Sequence, residues 1–229
     1  MRDGAVIAVV IPALNEEQAI GKVLAAIPRW VDDVVVVDNG STDGTAQVVR
    51  TRGARLVTEP VRGYGAACQA GLRALRASDV VVFIDADFSD RPEEMERLID
   101  PIVGGQADLV IGSRVTGRRE AGALSAQQRF GNWLACRLMR WFWDARYTDL
   151  GPFRAIGRAA LGRLDMRDRG FGWTVEMQIK GVRSGLRVQE VPVSYRRRIG
   201  VSKISGTLSG AVQAGFKIMF VIFAALLGR

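Results

Sequence analysis

Residues 5–11, Ala-Val-Ile-Ala-Val-Val-Ile, contain no polar side chain, and the same pattern returns in Val34–Val37 and Val80–Ile84. An apolar run without alternation suits a strand covered on both faces, and such strands belong to parallel sheets. Between the runs lie segments with helical spacing. Residues 16–27 place Ile20, Val23, Leu24 and Ile27 on one face. Residues 42–53 open with capping types and stop at Gly53; residues 65–78 carry small residues along one side. Residues 91–103 begin with Pro92 followed by acids, as a helix N-terminus should. Residues 54–59 and 107–114 read as further strands. Strands that alternate with helices of this length predict an α/β fold, an open and mostly parallel sheet with helices on both faces. Beyond residue 116 the pattern changes: a Trp- and Arg-rich helix over 125–147, a strand over 187–195, and a hydrophobic helix near 206–227. We therefore expect one α/β domain over 1–205 and a separate C-terminal amphipathic or hydrophobic helix over 206–229.

The 229 residues are 48% hydrophobic, enough for one sizeable core. Histidine is absent. That removes His-based nucleophile triads, His general bases and His metal ligands, so a metal here would be held by carboxylates, which favours a hard ion such as Mg²⁺ or Mn²⁺. Cys68 and Cys136 show no metal-like spacing and read as reduced thiols of an intracellular protein. The N-terminal apolar run soon meets Pro12 and acids, unlike a signal peptide, so a cytoplasmic location is expected. The formal net charge of +8 points to a polyanionic partner: nucleic acid, an anionic membrane or a phosphate-bearing substrate. No nucleic-acid-binding motif is present, and no nucleic-acid partner is expected.

In open α/β sheets ligands bind beyond the carboxyl ends of the strands. Those ends are polar throughout. Asn15, Glu16 and Glu17 follow the first run, Asp38, Asn39, Ser41, Thr42 and Asp43 the second, Asp85, Asp87, Ser89 and Asp90 the fourth, and Arg114 the fifth. Asp43 and Ser41 also suit helix capping. Capping does not account for Asp85 and Asp87: two carboxylates at the tip of an apolar strand repel unless a cation compensates them, as a divalent ion with a bound diphosphate would. Gly63 and Gly65 precede a helix but do not complete a dinucleotide fingerprint, since Cys68 stands where the third glycine belongs. A helix N-terminus beside Arg62 could still face an anion.

The motifs VVIPALNEE, VVVDNGSTDGT, VVFIDADF, DLVIGSR, TDLGPFRAI, GFGWTVEM and VPVSYRRRIGVSKISGT resemble, in order and across nearly the whole chain, the inverting family 2 glycosyltransferases of the GT-A fold. Within that family they are most similar to the dolichol-phosphate mannose synthase, or polyprenyl-phosphate glycosyltransferase, type. The resemblance implies a metal-dependent transfer of a hexose from a nucleotide-diphosphate sugar, UDP-hexose or GDP-mannose, to polyprenyl or dolichyl phosphate. It implies that Pro12, Leu14, Glu16 and Asp38 line the base and ribose pocket, that Asp85 contacts the nucleotide side, and that Asp87, with Asp85 beside it, binds Mg²⁺ or Mn²⁺; Arg62 is counted with the residues that bind the nucleotide sugar. Ser89 stands where relatives often carry a third residue of the metal shell. Arg114, Arg129, Arg198 and Lys203 would hold acceptor phosphate or donor diphosphate, and Asp149 and Glu176 would lie near the sugar. A phosphate nucleophile is already anionic and needs positioning rather than a strong base, which agrees with a chain lacking histidine. A hydroxyl acceptor would need a carboxylate base, Glu176 or Asp149.

The tail has an uninterrupted apolar run only over Ile218–Leu227, after Lys217, short of the ~20 residues of a bilayer span. Trp133, Trp141, Phe142, Trp143 and Tyr147 alternate with Arg137, Arg140 and Arg146, as suits a lipid interface. Contact with the cytoplasmic face of a membrane, or with a second subunit in a homo-oligomer, is expected of these helices. Two rivals remain: a transferase for a small phosphorylated or hydroxyl acceptor, and a basic nucleic-acid- or membrane-binding protein without activity.

Overall fold

The computed structural model describes residues 1–200 and 208–227. Its strands are β1 (Ile7–Ala13), β2 (Asp33–Asp38), β3 (Arg55–Thr58), β4 (Val80–Phe83), β5 (Leu109–Ser113), β6 (Arg154–Gly157) and β7 (Val188–Pro192). Helices α1 (Ile20–Ala26), α2 (Thr45–Thr51), α3 (Tyr64–Ala74), α4 (Glu96–Val103), α5 (Ala126–Trp143), α6 (Arg158–Leu164), α7 (Trp173–Arg183) and α8 (Leu208–Leu226) connect or follow them.

The sheet order is β3-β2-β1-β4-β6-β5-β7. Among the described strands six run parallel and only β6 is antiparallel, wedged between β4 and β5 with Val82 opposite Ala155 and Val110 opposite Ala155. The sequence reading did not anticipate β6, nor α6 and α7. The strand is four residues long and opens on an arginine, too short for a period and polar where a buried strand should be greasy. Tertiary contacts rescue that arginine. Arg154 is fully buried, yet its guanidinium donates to the carbonyls of Leu150, Gly151 and Thr174, so the buried charge keeps its hydrogen bonds.

Both faces of the sheet are covered, because residues alternate in direction along each strand. Val9, Ile11 and Val36 pack with Ile20, Val49, Leu98 and Ile99 on one side; Val10, Val35 and Phe83 pack with Ala67, Cys68, Trp173 and Met177 on the other. Helix α3 lies unusually near the sheet: a Cβ on Gly71 would stand 2.4 Å from Val10 Cγ1, closer than packed carbon atoms allow. A third cluster, with Ala135, Met139, Val175, Ile179 and Ile222, joins α5, α7 and α8. Helix α8 thus packs on the domain through α5 and α7. Phe216, Phe220 and Phe223 remain exposed on it, as does Leu227 just beyond its end. Among the described residues no helix is long and apolar enough to cross a membrane.

Candidate functional site

The end of β4 builds the centre of the site. Buried Ile84 carries the strand past its last pair, and Asp85, Asp87 and Asp90 follow within one turn. The turn reverses at Phe88, which adopts φ 63°, a left-handed conformation that is costly without glycine. The segment after β7 holds it there. Arg196 stacks on the Phe88 ring at 3.5 Å and donates to Phe88 O, Arg196 N donates to Ser89 O, and Ile199 N donates to Asp87 O. Two distant pieces of chain therefore fix the aspartates.

Three carboxylates crowd one turn, Asp87 and Asp90 buried and Asp85 half-buried, and among the described residues only Arg198 is paired with them. Burial first, and the charge of Asp87 second, push the Asp85 carboxyl up to about 7. Burial and the charges of Asp85 and Asp87 also push Asp90 well above its usual range, and both of its oxygens lack a hydrogen-bond partner. Asp87 is held by Ser89, whose N and Oγ both donate to its Oδ1 at 2.9 and 2.6 Å; its Oδ2 lies 3.3 Å from Arg198 Nη1. The Ser89 hydroxyl donates its proton to Asp87 and so orients that carboxylate. The cluster suits a hard divalent cation, with Asp87 and Asp85 as its protein oxygens. Among the described residues no group of three or more acidic, Cys or His side chains closes around an ion, so its remaining ligands would be diphosphate oxygens and water.

Beside the turn opens a cavity of about 410 Å³ lined by Pro12, Leu14, Glu16, Arg62, Asp85 and Asp87. Asn39, at an expected polar strand end, lines it as well, with Tyr64, Ala67 and Phe171, to which the sequence alone assigns no part in ligand binding. Asn39 joins the tips of β2 and β3: its Nδ2 donates to Glu59 O and Val61 O, and its Oδ1 accepts from Gly63 N. Asp38 is not in the lining; its Oδ1 accepts from Ser41 N at 2.9 Å and shapes the loop instead. The expected anion cradle at the start of α3 is closed by protein. Gly65 N and Ala66 N donate to the carbonyls of Gly170 and Arg169, and a Cβ on Gly65 would lie 2.0 Å from Asp168 O. The glycines there admit the 165–172 loop, which brings Phe171 to the cavity wall.

A second cavity of about 290 Å³ shares Tyr64, Asp85, Asp87, Phe171 and Arg198 with the first. Arg114 and Tyr195 stand on one side of it; Leu124, Leu150, Pro152 and Ile218 supply apolar wall. Arg114 and Asp149 form a bidentate pair at 2.8 and 2.7 Å, with Arg114 N also donating to Asp149 Oδ2, and the guanidinium lies over the Tyr195 ring. Asp149 is fully buried and committed to this pair, so it orients Arg114 rather than facing the cleft. Arg198 bridges both cavities: it pairs with Glu16 at 2.7 Å, and its buried Nε has no partner.

Two expected site residues are elsewhere. Glu176 accepts from Arg167 N and Asp168 N and pairs with Lys180. It pins the loop that carries Phe171 and opens onto a different cavity. Arg129 lines a pocket on the other flank of α5, which adjoins the second cavity through Leu124 and Asn132. Lys203 lies outside the described residues.

Residues 8–164 match the family model described as glycosyl transferase family 2. The chain is 36% identical to a dolichyl-phosphate hexose transferase of Haloferax volcanii over 90% of this chain and 89% of the relative. It is 33% identical to an undecaprenyl-phosphate mannosyltransferase of Micrococcus luteus over 88% of each. Its fold superposes with TM-score 0.79, at 27% identity, on glucosyl-3-phosphoglycerate synthase of Mycobacterium tuberculosis solved with Mn²⁺, UDP and glucosyl-3-phosphoglycerate; the match covers 96% of this chain and 80% of that one. A mixed sheet of this order, an acidic turn at the end of β4 and a cleft beside it are the GT-A arrangement, and the chain belongs to glycosyl transferase family 2 as a nucleotide-sugar-dependent glycosyltransferase.

Proposed function

We propose that this enzyme transfers a hexose, with inversion, from a nucleoside-diphosphate sugar to the phosphate of a polyprenyl lipid at a membrane surface. The observation that carries the reading is the paired cavity: one space on the Glu16 and Asn39 side, and a second in which Arg114 and Arg198 stand beside Asp85 and Asp87 and Leu124, Leu150, Pro152 and Ile218 form an apolar wall. Such a shape fits an anionic head joined to a hydrocarbon chain. The names of the Haloferax and Micrococcus relatives agree with it.

In this reading the nucleotide occupies the first cavity, with its diphosphate toward Asp85 and Asp87. A divalent ion bound there would neutralise the charge that grows on the leaving diphosphate. Ser89 keeps Asp87 in one rotamer, and Phe171 covers the cleft from the loop side. Arg198, which lines both cavities, stands with Arg114 and Tyr195 at the second, and together they position the acceptor phosphate for in-line attack at the anomeric carbon. No protein base is required, since the nucleophile is already an anion. Asp149 keeps Arg114 in place.

The structural likeness to an enzyme of glucosyl-3-phosphoglycerate supports a second reading, a small phosphorylated acceptor in the same cavity. One experiment separates them. The protein is incubated with Mn²⁺ or Mg²⁺ and a panel of UDP- and GDP-sugars, with either polyprenyl phosphate or phosphoglycerate, and after organic extraction the products in both the organic and the aqueous phase are identified by mass spectrometry. A glycosylated lipid is expected, abolished by excess chelator. Product from phosphoglycerate alone would overturn the lipid assignment, and full activity in excess chelator would overturn the metal role.

A further inference from the structure

Helix α5 has two working flanks. Gln127, Gln128 and Gly131 face the second cavity of the cleft, whereas Arg129, Trp133, Arg137 and Arg140 recur at helical spacing on the other side. There, with Arg119, they line a separate pocket of about 390 Å³ floored by Cys136 and Tyr147. None of the four arginines forms an ion pair or side-chain hydrogen bond among the described residues. The four are exposed, whereas elsewhere several arginines have a carboxylate partner: Arg2 with Asp100, Arg55 with Asp33, Arg114 with Asp149, and the exposed Arg187 with Asp108. Four guanidiniums around one concavity, without a carboxylate among them, repel one another and gain by taking up an anion. The surroundings are apolar as well as basic. Phe130 is 62% exposed, Trp133 57% and Trp141 80% on the same helix, and bulky exposed aromatics beside arginines suit the boundary between headgroups and acyl chains.

We infer that this pocket is a headgroup site for an anionic phospholipid: the arginines grip the phosphate, and Trp133 and its aromatic neighbours enter the interface. The inference rests on the membrane-borne acceptor proposed above and extends it to a lipid that is not a substrate. The pocket and the acceptor cavity share Leu124 and Asn132 across α5. A headgroup held on one flank therefore sets the mouth of the acceptor cavity beside the bilayer surface, where a polyprenyl phosphate presents its head. Arg129 takes part here rather than at the acceptor phosphate.

The test uses the full chain and sedimentation with phosphatidylcholine vesicles, with and without phosphatidylglycerol. The variants are Arg137→Ala/Arg140→Ala and a control of equal charge, Arg50→Ala/Arg76→Ala, whose side chains lie on exposed positions of α2 and just after α3. Each arginine near an anionic surface is worth about fivefold in partitioning, so the pocket pair should weaken binding to anionic vesicles ~30-fold. The control pair should change it much less, and binding to pure phosphatidylcholine should be weak for all. Turnover of a short, water-soluble prenyl phosphate without vesicles should be unchanged in the pocket variant. Equal losses in both variants, or no preference for anionic vesicles, would overturn the site, as would tighter binding to duplex DNA that the same arginines govern. If the vesicle results hold while the wild-type chain turns over no prenyl phosphate, the headgroup site stands and the acceptor assignment fails.

Discussion

Replacing Asp149 with alanine should unfold the acceptor side of the site before it removes any chemistry. Asp149 is fully buried, and its carboxylate takes three hydrogen bonds from Arg114, from N, Nε and Nη2, at 2.7, 2.8 and 2.7 Å. The Arg114 side chain is only 13% exposed. Without Asp149 the guanidinium keeps its charge and loses its partner. Breaking a buried pair by removing one member costs about 3–5 kcal/mol, mostly the penalty of the charge left behind. For a chain of 229 residues, about 2–4 °C per kcal/mol applies, so the melting temperature should drop by roughly 6–20 °C. Differential scanning calorimetry of the apoprotein reads this directly. The double variant Arg114→Met/Asp149→Leu should recover much of the loss, because an apolar pair of similar volume avoids the desolvation cost, yet it should stay inactive. A melting temperature within about 2 °C of wild type, with turnover of the Asp149→Ala variant abolished, would refute the argument. Asp149 would then face substrate, as the sequence reading had it.

Two other outcomes follow from the charges at the β4 turn. Arg198→Ala removes the cation between Glu16 and Asp87; KM for the phosphorylated acceptor should rise at least tenfold, with a smaller change in donor affinity by calorimetric titration, and the opposite pattern would place Arg198 on the donor diphosphate. The metal-free protein should also become less stable as pH rises. Asp85, whose ordinary value is 3.8, titrates near 7 in the folded chain, so between those values the folded state binds more protons than the unfolded one. Stability is fully present below about pH 4 and is lost as pH rises through about 7, and Asp90 acts in the same direction. The rise in melting temperature on adding Mn²⁺ should therefore grow from pH 5 to pH 8; a flat response would show that these carboxylates do not hold the ion.

The acidic turn and the sheet were legible in the chain because both rest on local pattern. Unbroken valine runs need cover on two faces wherever they occur, and Asp85 and Asp87 at such a strand's end carry an electrostatic cost that no neighbour in sequence offsets. Pro12, Leu14, Glu16, Arg62, Asp85 and Asp87 all reach the first cavity, since strand ends lie together in a parallel sheet. What local pattern does not contain is who partners whom over long separation. Glu176 and Asp149 look alike as carboxylates near aromatic motifs, but one is spent on the amides of Arg167 and Asp168 and the other on Arg114. Whether a buried charge is free for substrate or already satisfied depends on atoms far away in sequence, and only the packed molecule decides it. The same holds for β6: its pairing between β4 and β5 hides Arg154 among carbonyls that the strand itself does not supply. The sequence alone determined where negative charge would gather and on what kind of sheet. Tertiary structure decided which arginines answer that charge and which, on the far flank of α5, are left to answer something else.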